Sequence, residues 1–278
     1  MTTYNWKEAL ALCLESVLAQ TRLPDEIVVA DDGSRQETAE LIRAYMQKSP
    51  VPLIHVWHPD EGFQLSKIRN RGIADARGDY IVQLDGDMIA NRFFIEDHGR
   101  IAKANTLVQG KRALLSPKAT RRVLESGTVR LGPFSRGVKL SQRRFLLRSH
   151  CLSRLFSSTN RRARGTLGCN MAYWRTDAIR INGYDEQFVV HGGEDVDFAL
   201  RLLHLGLKRQ YVKHLAFGAH LYHPCRGNPA ELNNERFVKQ CQESGAIRCS
   251  RGIDRYLHAR AGRNNFSASP GSERLAAS

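Results

Sequence analysis

The sequence predicts an α/β fold built on a mostly parallel central sheet flanked by helices. Two observations carry that expectation. Helical and strand periodicities alternate through the first half of the 278 residues, the pattern that right-handed crossovers turn into a parallel sheet. The composition, 42% hydrophobic and 25% charged, is that of a chain with a real core, which excludes wholesale disorder.

The elements follow in order. Trp6 to Ala19 sets Leu10, Cys13, Leu14, Val17 and Leu18 at helical spacing. Glu26 to Ala30 reads as a buried strand, closed by the turn Asp31-Asp32-Gly33-Ser34. Gln36 to Gln47 is a second amphipathic helix, with Ser34 placed to cap it and Glu37 three residues on. Leu53 to Trp57 is a strand, Ser66 to Ala76 a helix stopped by Gly78, and Tyr80 to Leu84 a strand that ends in Asp85-Gly86-Asp87. Later, 166–174 reads as a strand, 194–205 as a helix and 209–212 as a short strand. The opening is unusual for such a sheet: residues 1–5 lead straight into a helix, so the first strand reads as cut short.

The formal net charge is +14, and it is concentrated. Between Lys111 and Arg164 stand 15 basic residues against one acid, Glu125, and the remainder balances to zero. The expected organisation is one domain over 1–260, divided by the basic stretch 111–164 into halves 1–110 and 165–260. A Gly-, Ser-, Ala- and Asn-rich tail over 261–278 reads as disordered. No apolar run approaches the roughly 20 residues of a bilayer span, and no secretory leader follows Met1. Six cysteines without CxxC spacing read as reduced thiols in a cytoplasmic protein. Within the basic stretch, 138–156 places its apolar residues on roughly half a helical wheel, with Arg144 and Arg148 intruding on that side. Such a helix either packs on its own domain or lies on the anionic inner face of the plasma membrane.

Ligands of open α/β sheets bind beyond the carboxyl ends of the strands, where both acidic clusters fall. Asp85 and Asp87 flank one residue and have the oxygen chemistry to hold a hard divalent cation against a diphosphate. Asp31-Asp32-Gly33-Ser34 either caps a helix or offers a carboxylate to a nucleoside. Gly192-Gly193-Glu194-Asp195 either caps a helix or poises an aspartate as general base. His220 and His223 are candidates to complete a site with the aspartates.

Taken in order, Thr2-Thr3-Tyr4-Asn5, Ser16–Gln20, Val28–Ser34, Arg69–Gly72, Gly78–Tyr80 and Asp85–Asp87 resemble a family-2 glycosyltransferase of the GT-A fold. Gly168–Trp174, Asn182–Asp185 and Gly192–Asp195 resemble the acceptor half of β-1,4-galactosyltransferases and chondroitin-polymerase-type enzymes. The resemblance covers roughly 1–110 and 165–240. It implies an inverting transfer from a nucleotide-sugar donor, expected to be a UDP-sugar, to a saccharide or lipid-linked acceptor in lipopolysaccharide or capsule assembly.

By position, it implies that Thr2, Tyr4, Asp32, Arg69 and Asp85 line the donor site. Asp87 and His223, with Asp85, are implied ligands of Mn²⁺ or Mg²⁺, and His220 is the alternative histidine. Asp195 is the implied base and Glu194 the residue that orients a sugar, while Gly193, Asn170 and His191 are implied to border the acceptor. The family carries an aromatic residue, commonly Trp, where this chain has His191. The rival readings are a basic nucleic-acid binder, a metal-dependent nucleotide-sugar hydrolase and a non-catalytic relative. The basic stretch has few aromatics to stack bases, which argues against the first.

Overall fold

The computed structural model describes residues 1–127, 137–224 and 231–257. The predicted tail over 261–278 lies outside them, as do Cys225 and part of the basic stretch at 128–136. The first half runs β1 (Thr2–Thr3), α1 (Lys7–Leu18), β2 (Ile27–Asp31), α2 (Gln36–Lys48), β3 (Leu53–Trp57), α3 (Leu65–Asp75), β4 (Tyr80–Leu84), β5 (Met88–Ala90), α4 (Phe94–Ile101), β6 (Thr106–Gln109) and β7 (Lys111–Leu114). The second continues with α5 (Pro117–Ser126), α6 (Leu140–Arg143), a 3₁₀ turn (Arg144–Leu146), α7 (His150–Phe156), β8 (Ser158–Asn160), β9 (Asn170–Trp174), α8 (Arg175–Arg180), α9 (Glu194–His204), β10 (Lys208–Tyr211), β11 (Phe217–His220) and α10 (Glu231–Ser244).

Strands β1, β2 and β3 form a parallel sheet in the order β1-β2-β3. A single parallel bridge from Thr2 to Asp85 joins it to a mixed sheet of order β4-β9-β6-β10-β8. A third sheet, β5-β11-β7, stands beside them. β1 has only two residues, yet both are buried and it is the seam of the molecule: Asp32 N–H donates to Thr3 O at 3.0 Å and Gly86 N–H to Thr2 O at 2.7 Å. The acidic turns after β2 and β4 are thereby held side by side. The α1 stripe of Leu10, Cys13, Leu14 and Val17 packs with Ile27, Val29 and Leu84 in one core cluster. Tyr173, Tyr184 and Phe198 centre a second, with Tyr184 and Phe198 stacked at 4.2 Å between ring centroids.

Three local expectations are corrected. Ser34 does not cap α2: Arg35 occupies the cap position without a side-chain bond, and Ser34 Oγ accepts instead from Asn5 N–H at 2.9 Å. The strand expected over 166–174 begins at Asn170, because Gly165 turns the chain with φ +77° and Thr166 bonds back to Ala163 O through both its N–H and its hydroxyl. The continuous helix over 138–156 is broken into α6, the 3₁₀ turn and α7, with Leu147 extended and Ser149 capping α7 through Leu152 N–H. Arg148 is the reason: it lies in the break and makes a two-pronged bond to the buried Asp97 of α4, Nη2 to Oδ1 at 2.8 Å and Nε to Oδ2 at 3.2 Å. The apolar-side arginine that intruded on the wheel is an ion-pair anchor.

Candidate active site

The site forms where the carboxyl ends of β1, β2 and β4 meet the start of α9, and its hub is Arg69. Arg69 lies on α3, is 4% exposed, and donates to Asp195 Oδ1 at 2.7 Å, Glu194 Oε1 at 3.2 Å and Asp85 Oδ1 at 3.3 Å. A guanidinium suits this junction because its planar fork serves several acceptors at once and keeps its charge when buried. The next residue, Asn70, closes the same bridge from the side: its amide donates to Tyr184 O at 2.8 Å and accepts from Tyr184 N–H at 2.7 Å. One dipeptide of the first half thus grips both acidic and turn motifs of the second.

Asp195 receives a second bond, from Gly168 N–H to Oδ2 at 2.7 Å. A side chain at 168 would collide with that carboxylate, so the close approach needs glycine. Gly193 caps α9 with φ +90°, and Gly192, with φ +100°, donates its N–H to Glu194 Oε2 at 3.1 Å. The double glycine turns Glu194 and Asp195 inward at the positive end of the helix dipole. Burial pushes the Asp195 carboxyl up, against the pull of Arg69 and with Glu194 and Asp85 adding to the rise, to about 7. Burial works against the charge on Asp85 too, but Arg69 and the Thr2 hydroxyl outweigh it and hold its carboxyl below the usual range.

Asp87 faces the other way. Its Oδ2 lies 3.4 Å from His220 Nε2 and 3.3 Å from His223 Nε2, and its Oδ1 is buried without a partner. Burial, reinforced by Asp85, raises this carboxyl to about 7, and burial with Arg112 lowers His220 to about 4. One ligand atom from each of Asp87, His220 and His223 lies within 4.8 Å of the others. An orphaned carboxylate oxygen, a histidine kept neutral and an oxygen/imidazole donor set fit a divalent cation. Around this point Asp85, Asp87, Glu194 and Asp195 face two guanidiniums, Arg69 and Arg112, an excess of negative charge that such an ion would balance.

The expected residues divide by location. Arg69, Asp85, Glu194 and Asp195 come together, and Asp87 meets His223. His220, on β11, stands in that cluster alongside His223, and Asp85 Oδ1 accepts from the Thr2 hydroxyl and from Arg69. Thr2 spends its hydroxyl on Asp85 at 2.7 Å. Tyr4 is half exposed, and its hydroxyl donates to Asp60 at 2.9 Å. Asp32 is buried, bound to His58 Nε2 at 2.7 Å and to Gln64 N–H at 3.1 Å. His191 is exposed and edge-on to Phe63, with Gly193 two residues on.

Asn170 lies in the interior: 0% exposed, its amide donating to Lys111 O and Ala216 O and its Oδ1 set 3.1 Å from His98 Nε2, it ties β9 to its neighbours away from any open surface. His58, Asn70 and Arg112 went unnoticed in the sequence. Only Asn70 carried a signal there, inside the Arg69–Gly72 motif.

The family model of glycosyl transferase family 2 matches residues 1–162, and that described as the N-terminal domain of galactosyltransferase matches 149–224. The chain belongs to glycosyl transferase family 2. It is 27% identical over 80% of its length to a chondroitin synthase of Escherichia coli, covering 33% of that protein, and 26% identical over 74% to a hyaluronan synthase of Pasteurella multocida, covering 22%. The chain therefore spans a third or less of these relatives. Among solved structures, residues 1–349 of S. aureus TarS match 96% of the chain, over 71% of their own, with TM-score 0.59 and 16% identity. The mannosyltransferase PcManGT of Pyrobaculum calidifontis, solved with GDP-Man and Mn²⁺, matches 94%, over 67% of its own, with TM-score 0.56 and 18% identity. These likenesses identify the fold as GT-A.

Proposed function

We propose that this chain is an inverting glycosyltransferase that moves a sugar from a nucleoside-diphosphate donor, a UDP-sugar, to a hydroxyl of a saccharide or lipid-linked acceptor in surface-glycan assembly. The observation that carries it is the Arg69 hub, which sets a carboxylate with a raised pKa, Asp195, beside the donor-side carboxylate Asp85 and close to the Asp87, His220 and His223 cluster.

Asp195 takes the proton of the acceptor hydroxyl as its oxygen bonds to the anomeric carbon and the sugar–phosphate bond breaks. Arg69 and Gly168 N–H hold that carboxylate in one orientation, and Glu194, fixed by Arg69 and Gly192, is placed to hold a sugar hydroxyl. Mn²⁺ or Mg²⁺ held by Asp87, His220 and His223 would supply positive charge to the departing diphosphate. The names of the relatives, chondroitin and hyaluronan synthases, support a polysaccharide product.

The test is a panel of UDP- and GDP-sugars incubated with Mn²⁺ or with EDTA, with and without oligosaccharide acceptors. Acceptor-stimulated, EDTA-sensitive nucleotide release is expected. Equal release without acceptor would indicate a hydrolase instead.

The same reading places the acceptor on an anionic membrane face, working from the cytoplasmic side. No helix among the described residues is long and apolar enough to cross a bilayer. Leu140 and Leu155 are 80% and 72% exposed, and Leu147 and Phe156 about half so, amid Lys139, Arg144 and Arg154. This apolar and basic surface fits an anionic headgroup layer. The chain should float with vesicles containing phosphatidylglycerol and not with pure phosphatidylcholine, and Leu155→Glu should abolish flotation. Equal behaviour with both vesicles would overturn the membrane reading.

A further inference from the structure

Arg112 stands in β7 between the two chemical halves of the site and is half-buried. On one side its Nη1 donates to Cys169 Sγ at 3.3 Å, and Cys169 follows the glycine whose N–H holds Asp195. On the other, Arg112 pairs with Gly218 of β11 and Leu114 with His220, so side chains 112 and 220 leave the same face of the small sheet. Arg112 and His220 thus stand two register positions apart on that face, beside the Asp87 carboxylate that His220 meets.

None of the ion pairs among the described residues includes Arg112, although Asp87 keeps one buried oxygen without a partner. The partner it does have is a thiol that burial pushes up to about 12 and thus keeps neutral. The structural arginines Arg175 and Arg209 spend their guanidiniums on backbone carbonyls, whereas Arg112 donates to a neutral thiol, a weak acceptor for a half-desolvated cation. Here it is left ready for an anion, at the point where a sugar–phosphate bond would lie between the base and the metal ligands.

We propose that Arg112 contacts the donor's diphosphate at the phosphate that carries the sugar. As the bond from the acceptor oxygen to the anomeric carbon forms and the carbon–oxygen bond to phosphate breaks, the electron pair stays on that phosphate oxygen, and Arg112 meets the charge with an N–H donor. The proton of the acceptor goes to Asp195. This assignment rests on the transferase reading and adds a second, protein-borne cation to the diphosphate site.

Calorimetric titration of wild type, Arg112→Lys and Arg112→Met with UDP and UMP, and with GDP and GMP, in the presence of Mn²⁺ tests it. In Arg112→Met the diphosphate should bind about tenfold to a hundredfold more weakly, as for loss of a charged hydrogen bond, while monophosphate affinity changes less than about twofold. Arg112→Lys should recover part of the loss, and Mn²⁺ titrated alone should bind Arg112→Met at least as tightly as wild type. Equal diphosphate affinity in wild type and Arg112→Met would overturn the assignment alone, and a parallel loss of mono- and diphosphate would make Arg112 structural. A wild-type chain that binds neither UDP nor GDP with Mn²⁺ would remove the transferase reading and this assignment with it.

Discussion

Asp195 shows how much of the chemistry is decided by one residue's surroundings. Its carboxyl is raised to about 7 by burial and by the neighbouring charges of Glu194 and Asp85, and Arg69 keeps it from rising further. A base must be ionised to act, so transfer should climb with pH along a limb centred near 7, read from the pH profile of kcat/KM. Asp195→Asn should cost about 10²- to 10⁴-fold in kcat and flatten that limb, while UDP binding by calorimetry stays within a few-fold of wild type. Wild-type turnover in Asp195→Asn would place the base elsewhere. Asp195 was legible in the sequence as part of Gly192–Asp195, but its contact with Arg69, 126 residues away, was not. Periodicity and motif spacing report neighbours along the chain, and nothing in the order of residues ties α3 to α9.

At the scale of elements, one short turn positions the site and one helix break ties the basic stretch to the core. The Gly192-Gly193 turn needs left-handed φ at both residues, and a Cβ on Gly193 would lie 3.2 Å from both Phe188 and Val238. Gly193→Ala should therefore lower stability by about 1–2 kcal/mol and reduce transfer by displacing Glu194 and Asp195, seen as a drop in Tm together with kcat. The break between α6 and α7 is set by Arg148. Among the described residues, Arg148→Ala would leave Asp97, 1% exposed, with backbone N–H support from Ala216, at a cost of about 3 kcal/mol measured by urea unfolding. An unchanged midpoint would show that the pair is not structural. The only sign of this break in the sequence was an arginine on the apolar side of 138–156; the apolar spacing itself satisfies a helix whether or not that arginine is drawn off to another element. Helices α1 and α2 were legible almost to the residue, since each buries apolar residues at helical spacing, α2 on one face and α1 against two core clusters.

Over the whole molecule, charge is the organising quantity. The cleft gathers an excess of carboxylates while the net basic charge belongs to the stretch 111–164, so an overall value of +14 conceals two opposite contributions. Burial raises Asp87 to about 7 as well as Asp195, above the ordinary carboxylate value of an unfolded chain. The stability these two groups contribute is complete below that ordinary value and is lost as pH rises through about 7. A divalent cation, which needs Asp87 ionised, acts in the opposite sense. At a fixed concentration about 100 times its Kd at pH 8, Mn²⁺ should add about 2.7 kcal/mol there, a rise in Tm of about 5–10 °C, and the same concentration should give a smaller rise at pH 6. Differential scanning calorimetry reads this directly, and an equal or smaller rise at pH 8 would argue against ligation by Asp87.

What the sequence by itself determined was the α/β alternation, the strand-end position of both acidic turns and the family resemblance, all properties of neighbouring residues. The tertiary structure decided which groups meet: Arg69 with Glu194 and Asp195, Asp87 with His220 and His223, and Arg112 between them. Such partners come together only when β1, short as it is, joins the two sheets and the excess of buried charge must be paired across the seam.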